Sequence, residues 1–410
     1  MTPKLSVLII DPNKEDWGKT INTLSEITLG DGVVDTFFID SSKNILKELN
    51  KHKTIDLIVS IGENIEFSPL SNMSFEYRKK WVHFDDFKEE NIVEALISTF
   101  MANIDRDRGN DKLFSIFTCA FNTPKNVLER LYSSLVAQTY KNWNWWVLDD
   151  SNGAGMASEY LEKFHDPRIF VIKNVTNHGT IGFNKHVIAS AADGDYLVEI
   201  DHDDEITPDC LELLKKAFEK YPDADFVFSH AFEEMDGIPV IYTGDFGLGQ
   251  GYYSTETVNG ITYNNMPMTP DVNALTLRHI VGLPNHVRCW KKEFYHKIGG
   301  HNMELAVLDD MDLLIRTFLY GKMCKVDKIL YIQHEGSSDD NNGRGSTTQG
   351  ARFNEILRVG VLLRWKYDRQ IHERLLELGY DDIIWNEEKG YSEIRIIKDE
   401  IPRINYLYKP

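Results

Sequence analysis

Cysteine is scarce in this chain, with four residues in 410 (Cys119, Cys210, Cys289 and Cys324), none in a CxxC pair or a cysteine-rich block. That excludes a zinc ribbon and a disulfide framework and fits a reducing compartment. Long apolar runs are missing too. The first one, Leu5–Ile10, stops at Asp11, far short of a spanning helix, and has neither the basic flank nor the small-residue cleavage site of a signal peptide. The expectation is a cytoplasmic protein with no transmembrane segment, free or peripheral at the cytosolic membrane face. An excess of positive charge is absent: 45 Lys and Arg against 64 Asp and Glu leave a net −19, which disfavours a nucleic-acid partner. Internal repeats and low-complexity segments do not occur either. What remains is ordinary soluble composition, 42% apolar and 27% charged, in a chain long enough for two or three domains.

The first hundred residues alternate between short apolar runs and amphipathic stretches. KLSVLII (4–10), VVDTFFID (33–40), IDLIVSIG (55–62) and KKWVHF (79–84) read as strands. A stretch to about residue 28, SSKNILKELNKH with Ser41 or Ser42 as cap, and EENIVEALISTFMANI read as helices. Strands alternating with helices predict a small parallel α/β domain over 1–108, of receiver or Rossmann-like type. Its first turn, Asp11-Pro12-Asn13, lacks a glycine-rich phosphate loop, so a scaffold or acceptor-docking role is expected. The charged stretch 105–112 reads as a linker. A second α/β domain, 112–340, follows with strands at 113–121, 143–150, 168–174 and 195–201, two of them ending in carboxylates. Ligands of open α/β sheets bind at such strand ends, which marks Asp149, Asp150 and 201–204 as a nucleotide site. The segment 243–273, rich in Gly, Tyr, Thr and Asn, is expected to be a long loop or flap. A helical extension and tail, 341–410, closes the chain; its apolar stretch Ile356–Trp365 suits the core, a dimer or a membrane surface.

The richest segment is DYLVEIDHDDEITPDCLELL (195–214), a strand running into Asp201, Asp203 and Asp204. Hard oxygen ligands one residue apart suit a divalent cation that keeps substrate phosphate oxygens in its shell. The EF-hand alternative fails because Ile206 replaces the turn glycine, Pro208 interrupts the loop and a strand precedes it. A solvated acidic turn capping the next helix is the plain alternative.

Read in order, FSIFTCAFNTP (114–124), SLVAQTYKNWNWWVLDDSN (134–152), NHGTIGFNKHVIASAADGDYLVEIDHDD (177–204) and LDDMDLLIRTFLYGK (308–322) resemble the motifs of the family 2 glycosyltransferases. The likeness is strongest to a subgroup with an extra N-terminal α/β domain. It implies a GT-A fold, a Rossmann-like nucleotide-diphospho-sugar transferase domain, over roughly half the chain. It implies that Phe121 and Asn122 border the nucleobase, although Cys119-Ala120 replaces the commoner Pro-Thr, and that Asp149 or Asp150 contacts the base. By the same resemblance Asp201 and Lys185 reach the donor, and Asp203 with Asp201 holds Mn²⁺ or Mg²⁺. His334 in YIQHEGSSDD matches a third metal ligand found in many such enzymes, or is a structural histidine closing a strand. Asp310 matches the general base, with Asp309-Asp310 in place of Glu-Asp; otherwise Asp309, Asp310 and Asp312 complement a helix dipole, with Asp312 pairing to Arg316. The histidines of 285–302 fit no zinc motif and read as loop residues.

The function implied is a metal-dependent, inverting transfer of sugar from a nucleotide-diphosphate sugar, UDP-sugar favoured, to a hydroxyl of a glycan or other acceptor. Breaking the anomeric bond places charge on the diphosphate, which a cation must meet, and one carboxylate base without a carboxylate nucleophile implies single displacement. A sugar-nucleotide pyrophosphorylase would need a basic glycine-rich loop that FTCAFNTPKN lacks. The alternatives kept are the same chemistry on a hydroxylated base of modified DNA, to which the basic stretch Arg344–Arg374 could dock, and a non-catalytic sugar-nucleotide-binding protein. Oligomeric state is not encoded in any pattern found.

Overall fold

The computed structural model describes residues 5–12, 34–52, 54–62, 80–88, 112–151, 157–164, 168–235, 237–242, 251–258, 260–270, 272–334, 352–378, 383–386, 391–394 and 405–410, with shorter pieces between them. The helix expected up to residue 28 and nearly all of the linker at 105–112 lie outside them. The chain divides into two compact units. One comprises Met1–Leu113, Lys141–Asn144 and Glu162–Phe170, and the other Phe114–Tyr140, Trp145–Leu161 and Val171–Pro410.

In the first unit, β1 (Leu5–Ile10), β2 (Val34–Ile39), α1 (Ile45–Lys51), β3 (Leu57–Ile61) and β4 (Trp81–Phe84) build a parallel sheet in the order β2-β1-β3-β4. Side chains alternate across the pleat. Leu5, Val7 and Ile9 join Leu57, Val59, Ile61, Ile92 and Leu96 on one face, while Leu8, Ile10 and Ile58 meet Ile45 and Leu49 on the other. Burial on both faces is why these strands read as continuous apolar runs. Of the two candidate caps, Ser41 is the one whose side chain accepts from a backbone N–H, that of Lys43.

The second unit carries β5 (Phe114–Ala120), α2 (Lys125–Val136), β6 (Trp143–Asp149), α3 (Ala157–Leu161), β7 (Ile169–Lys173), α4 (Ile181–Ala191), β8 (Tyr196–Glu199), β9 (Glu205–Ile206) and α5 (Cys210–Lys220). There follow β10 (Phe226–Met235), β11 (Ile238–Pro239), β12 (Tyr252–Val258), β13 (Ile261–Met268), α6 (Ala274–His279), β14 (Arg288–Lys291), α7 (Lys292–Lys297) and α8 (Asp309–Tyr320). The chain closes with β15 (Met323–His334), α9 (Phe353–Glu377), β16 (Ile383–Asn386), β17 (Tyr391–Ile394) and β18 (Tyr406–Tyr408). The main sheet runs β18-β15-β10-β14-β8-β5-β6-β7. β8 is parallel to β5, and β14 is inserted antiparallel between β8 and β10. The mixed sheet with covering helices is the GT-A class of architecture.

One finding differs from the sequence reading, and a second fills in what that reading leaves open. The segment expected to be a loop over 243–273 contains an antiparallel hairpin, β12 with β13. Its strands carry exposed Tyr, Thr and Asn, while Val258 near the turn and Met266 and Met268 at the open end pack with Phe232, Ile329 and Ile332, Tyr263 lying against them. The C-terminal helix, whose sequence leaves core, dimer and membrane placements all open, packs in part into the core. Leu363, Tyr367, Ile371 and Leu375 of α9 belong to the main core, Arg278 makes a bidentate ion pair with Asp368 at 2.6 and 2.8 Å, and β18 pairs with β15.

Candidate active site

Three strand ends and the start of one helix converge on the site. At the end of β5, Phe121 is 44% exposed and Asn122 turns the chain in a left-handed conformation, its N–H donating to Ser151 Oγ at 2.8 Å. Asp149 closes β6 buried, its carboxylate accepting from the N–H groups of Ser151 at 3.2 Å and Ser158 at 2.9 Å. Burial raises its pKa, but those donors outweigh it and leave the carboxyl below its ordinary range. Asp150 is a hub. Its carboxylate accepts from the side-chain amides of Asn174, Asn177 and Asn184 at 2.6, 2.9 and 2.8 Å and from the backbone N–H of His178 and Gly179 at 2.8 and 3.3 Å. Both candidate base contacts are thus hydrogen-bonded to protein, Asp149 holding the entry to α3 and Asp150 fixing the turn before α4.

The end of β8 is built differently. Glu199 is 1% exposed, an acid in an otherwise apolar strand, and ladder pairing sets Arg288 of β14 directly beside it. A buried charge requires partners. Lys185 Nζ, from α4, lies 2.5 Å from Glu199 and 3.6 Å from Asp201. Arg288 bridges Glu199 at 3.5 Å and Asp310 at 3.3 Å. His286 Nε2 faces Glu199 and Asp201 at 3.8 and 3.7 Å, and His301 Nε2 faces Glu199 and Asp309 at 3.7 and 3.6 Å. These gaps exceed hydrogen-bond length. Glu199 Oε2, His286 Nε2, Arg288 Nη1, His301 Nε2 and Asp309 Oδ2 have no hydrogen-bond partner among the described residues.

Electrostatics follow the packing. Burial would raise the Glu199 carboxyl, but the Lys185 ammonium and then the Arg288 guanidinium overcome it and hold it well below the usual range. For Asp201, burial is likewise outweighed by Lys185 and His286, and its pKa falls. Lys185, which burial alone would discharge, is kept charged by Glu199 and Asp201. Asp309 goes the other way: burial raises it and Lys185 and His301 compensate only in part. Asp204 is also raised, by burial and by the charges of Asp203 and Asp201, and it accepts from Tyr331 Oη at 2.7 Å and the His334 N–H at 2.9 Å. Of the three aspartates in the turn it is the one tied inward.

Asp310 sits in the first turn of α8, its side chain 24% exposed and one oxygen turned to Arg288. Its neighbour Asp312 is buried and occupied by Arg316 at 2.5 Å, the i,i+4 pair expected, and by Tyr367 Oη at 2.7 Å. The donors that converge to within 4.8 Å among the described residues are Glu199, Asp201 and His286. Asp203 and His334 are not in that group. Asp203 accepts Arg130 Nη2 at its carbonyl at 2.6 Å, and His334 has Glu234 at Nδ1 and Glu205 at Nε2. Sequence spacing had no means of finding Arg288, His286 and His301, which arrive from 87 to 102 residues beyond Glu199. Glu199 itself was detectable as a charge inside a strand otherwise fit for full burial.

The model of the family "Glycosyl transferase family 2" matches residues 115–282. Two relatives that bear glycosyltransferase names are WcaA of Escherichia coli (strain K12) and EpsE of Bacillus subtilis (strain 168). WcaA is 28% identical over 230 residues, 55% of this chain and 74% of that protein. EpsE is 32% identical over 226 residues, 50% of this chain and 77% of that protein. Among solved structures, S. aureus TarS 1–349 in complex with UDP-GlcNAc is similar at 18% identity and a TM-score of 0.45, over 64% of this chain and 72% of that one. With the family model spanning the segment that carries Asp149, Glu199 and Asp201, and with EpsE matched over 77% of its own length, this chain belongs to the family 2 glycosyltransferases and is a glycosyltransferase.

Proposed function

We propose that the chain transfers a sugar from a UDP-sugar to a hydroxyl of a glycan acceptor, with inversion at the anomeric carbon and with help from a divalent cation. The observation that carries this reading is the shared guanidinium of Arg288, which ties the buried end of the Glu199–Asp201 cluster, Glu199, to Asp310. The diphosphate belongs at that cluster, beside Lys185, whose charge meets the one that builds on the leaving group. Asp310 takes the proton of the attacking hydroxyl, with Arg288 and Met311 N–H fixing its oxygens. A base that activates the attacking hydroxyl directly gives a single displacement with inversion. Phe121 and Asn122 offer the nucleobase an exposed ring and a turn to lie against, and Asp150 orders the neighbouring segment.

The donor set fits a metal ion. Asp201 and Glu199 offer oxygens and His286 an unpartnered nitrogen, a mixture that favours Mn²⁺ over Mg²⁺. Bound there, the ion would act as Lewis acid on the diphosphate. Asp203, in the same turn, stands outside this donor set. His334, engaged by Glu205 and Glu234, lies further from this role than His286. The test is nucleotide release from a panel of UDP-, GDP-, dTDP- and CMP-sugars with Mn²⁺ or EDTA. Release from one UDP-sugar that EDTA abolishes is expected; full activity in EDTA overturns the metal and preference for another nucleotide overturns the donor.

A further inference from the structure

α9 buries one side in the core and leaves another side uncovered. Leu363, Tyr367, Ile371 and Leu375 face inward, whereas Phe353, Leu357, Val361, Leu362, Trp365 and Leu376 are exposed, Trp365 by 78%. At 3.6 residues per turn, Leu357, Val361 and Trp365 stack into one stripe. Arg364 lies on one margin of it and Arg358 and Arg369 on the other. The same arc contains one carboxylate, Asp368, which is buried and paired with Arg278. The acidic residues of the helix, Glu355, Glu373 and Glu377, fall outside the arc.

The chain carries a net −19, but this stripe is bordered by arginines, so the face is locally basic and suits a surface that is both apolar and anionic. A bilayer containing acidic lipids supplies both. A tryptophan beside arginines is the residue pair that settles where hydrocarbon meets headgroups. A second copy of this face would set arginine margins against arginine margins, which like-charge repulsion opposes. No helix among the described residues is long and apolar enough to cross a membrane, so the contact is one of lying on the surface. We propose that the Leu357–Val361–Trp365 face of α9 docks the enzyme on an anionic bilayer, with Arg358, Arg364 and Arg369 against the headgroups.

The test is co-sedimentation of the full chain with phosphatidylcholine vesicles, with and without phosphatidylglycerol, alongside a Leu357→Ser/Trp365→Ser variant and Arg358→Glu. Binding is expected only with phosphatidylglycerol. It should weaken about tenfold or more in the double variant and several-fold in Arg358→Glu and in high salt, with thermal midpoints and donor hydrolysis unchanged. No sedimentation with the anionic vesicles overturns the proposal, and so does equal binding to both vesicle types or by the double variant. A dimer in sedimentation velocity that the same two serines dissolve, without vesicle binding, assigns the face to a second copy and also overturns it.

Discussion

Asp150 at the end of β6 is held by five nitrogen donors that carry no formal charge, while Glu199 and Asp201 at the end of β8 face an ammonium, a guanidinium and imidazoles. The first carboxylate has nothing left to offer a ligand. The second group meets most of its partners across 3.5–3.8 Å and leaves buried atoms without hydrogen bonds. Buried polar groups are normally paired, because a missing bond costs about 1–3 kcal/mol. A cluster that tolerates several such atoms is shaped for something that enters. Within one sheet, then, one strand end carries a carboxylate saturated with hydrogen bonds and another carries carboxylates with unmet polar partners, which is why the proposed function is placed on the second.

Asp310→Asn should break the comparison most sharply, since it removes the proposed base while its amide oxygen can still accept from Arg288. A turnover loss of about 10²–10⁴-fold, with the thermal midpoint nearly unmoved, is expected from steady-state kinetics and calorimetry. Glu199→Gln comes next. It strands Lys185 and Arg288 in a buried place, so unfolding stability at pH 7 should fall by about 3 kcal/mol in urea titrations. Because Glu199 is depressed well below 4.5, its contribution is fully present above that value and is lost as pH drops through the lowered one. The urea midpoints of wild type and variant should therefore separate at neutral pH and converge in strong acid. The smallest effect belongs to Asp150→Asn. Its new amide keeps one acceptor and costs about 2 kcal/mol, and donor KM should rise only in step with lost stability. A large KM change at constant stability would reassign Asp150 to direct base contact.

Strands at 114–120, 143–149 and 196–199 were legible because burial on both faces writes near-continuous apolar runs into the sequence, and the edge strand 169–173, only half-buried, was legible from its Ile-Phe-Val-Ile run. The β12–β13 hairpin was not, since exposed strands with polar residues on both faces carry no such signature and Pro267 sits within one of them. Asp201, Lys185 and Asp310 were readable as pieces of ordered motifs. The partners that define their charge state were not: Arg288 reaches Glu199 only through the antiparallel pairing of β14 with β8, a contact no local pattern encodes. His286 and His301, read as loop histidines, are placed against carboxylates by the same insertion.

Gly182 opens the first turn of α4 with its N–H on the Leu305 carbonyl at 3.1 Å. A Cβ there would stand 2.1 Å from the Asn302 carbonyl and 2.8 Å from that of Leu305, so only glycine lets the two backbones touch. The helix that carries Lys185 is therefore seated on the segment that leads into Asp310. Lys185, proposed to meet the leaving group, and Asp310, proposed as the base, are thereby joined through this backbone contact. A shift of the 302–310 segment as an acceptor arrives would be felt at the leaving group, and a side chain at position 182 would put the two halves of the reaction out of step.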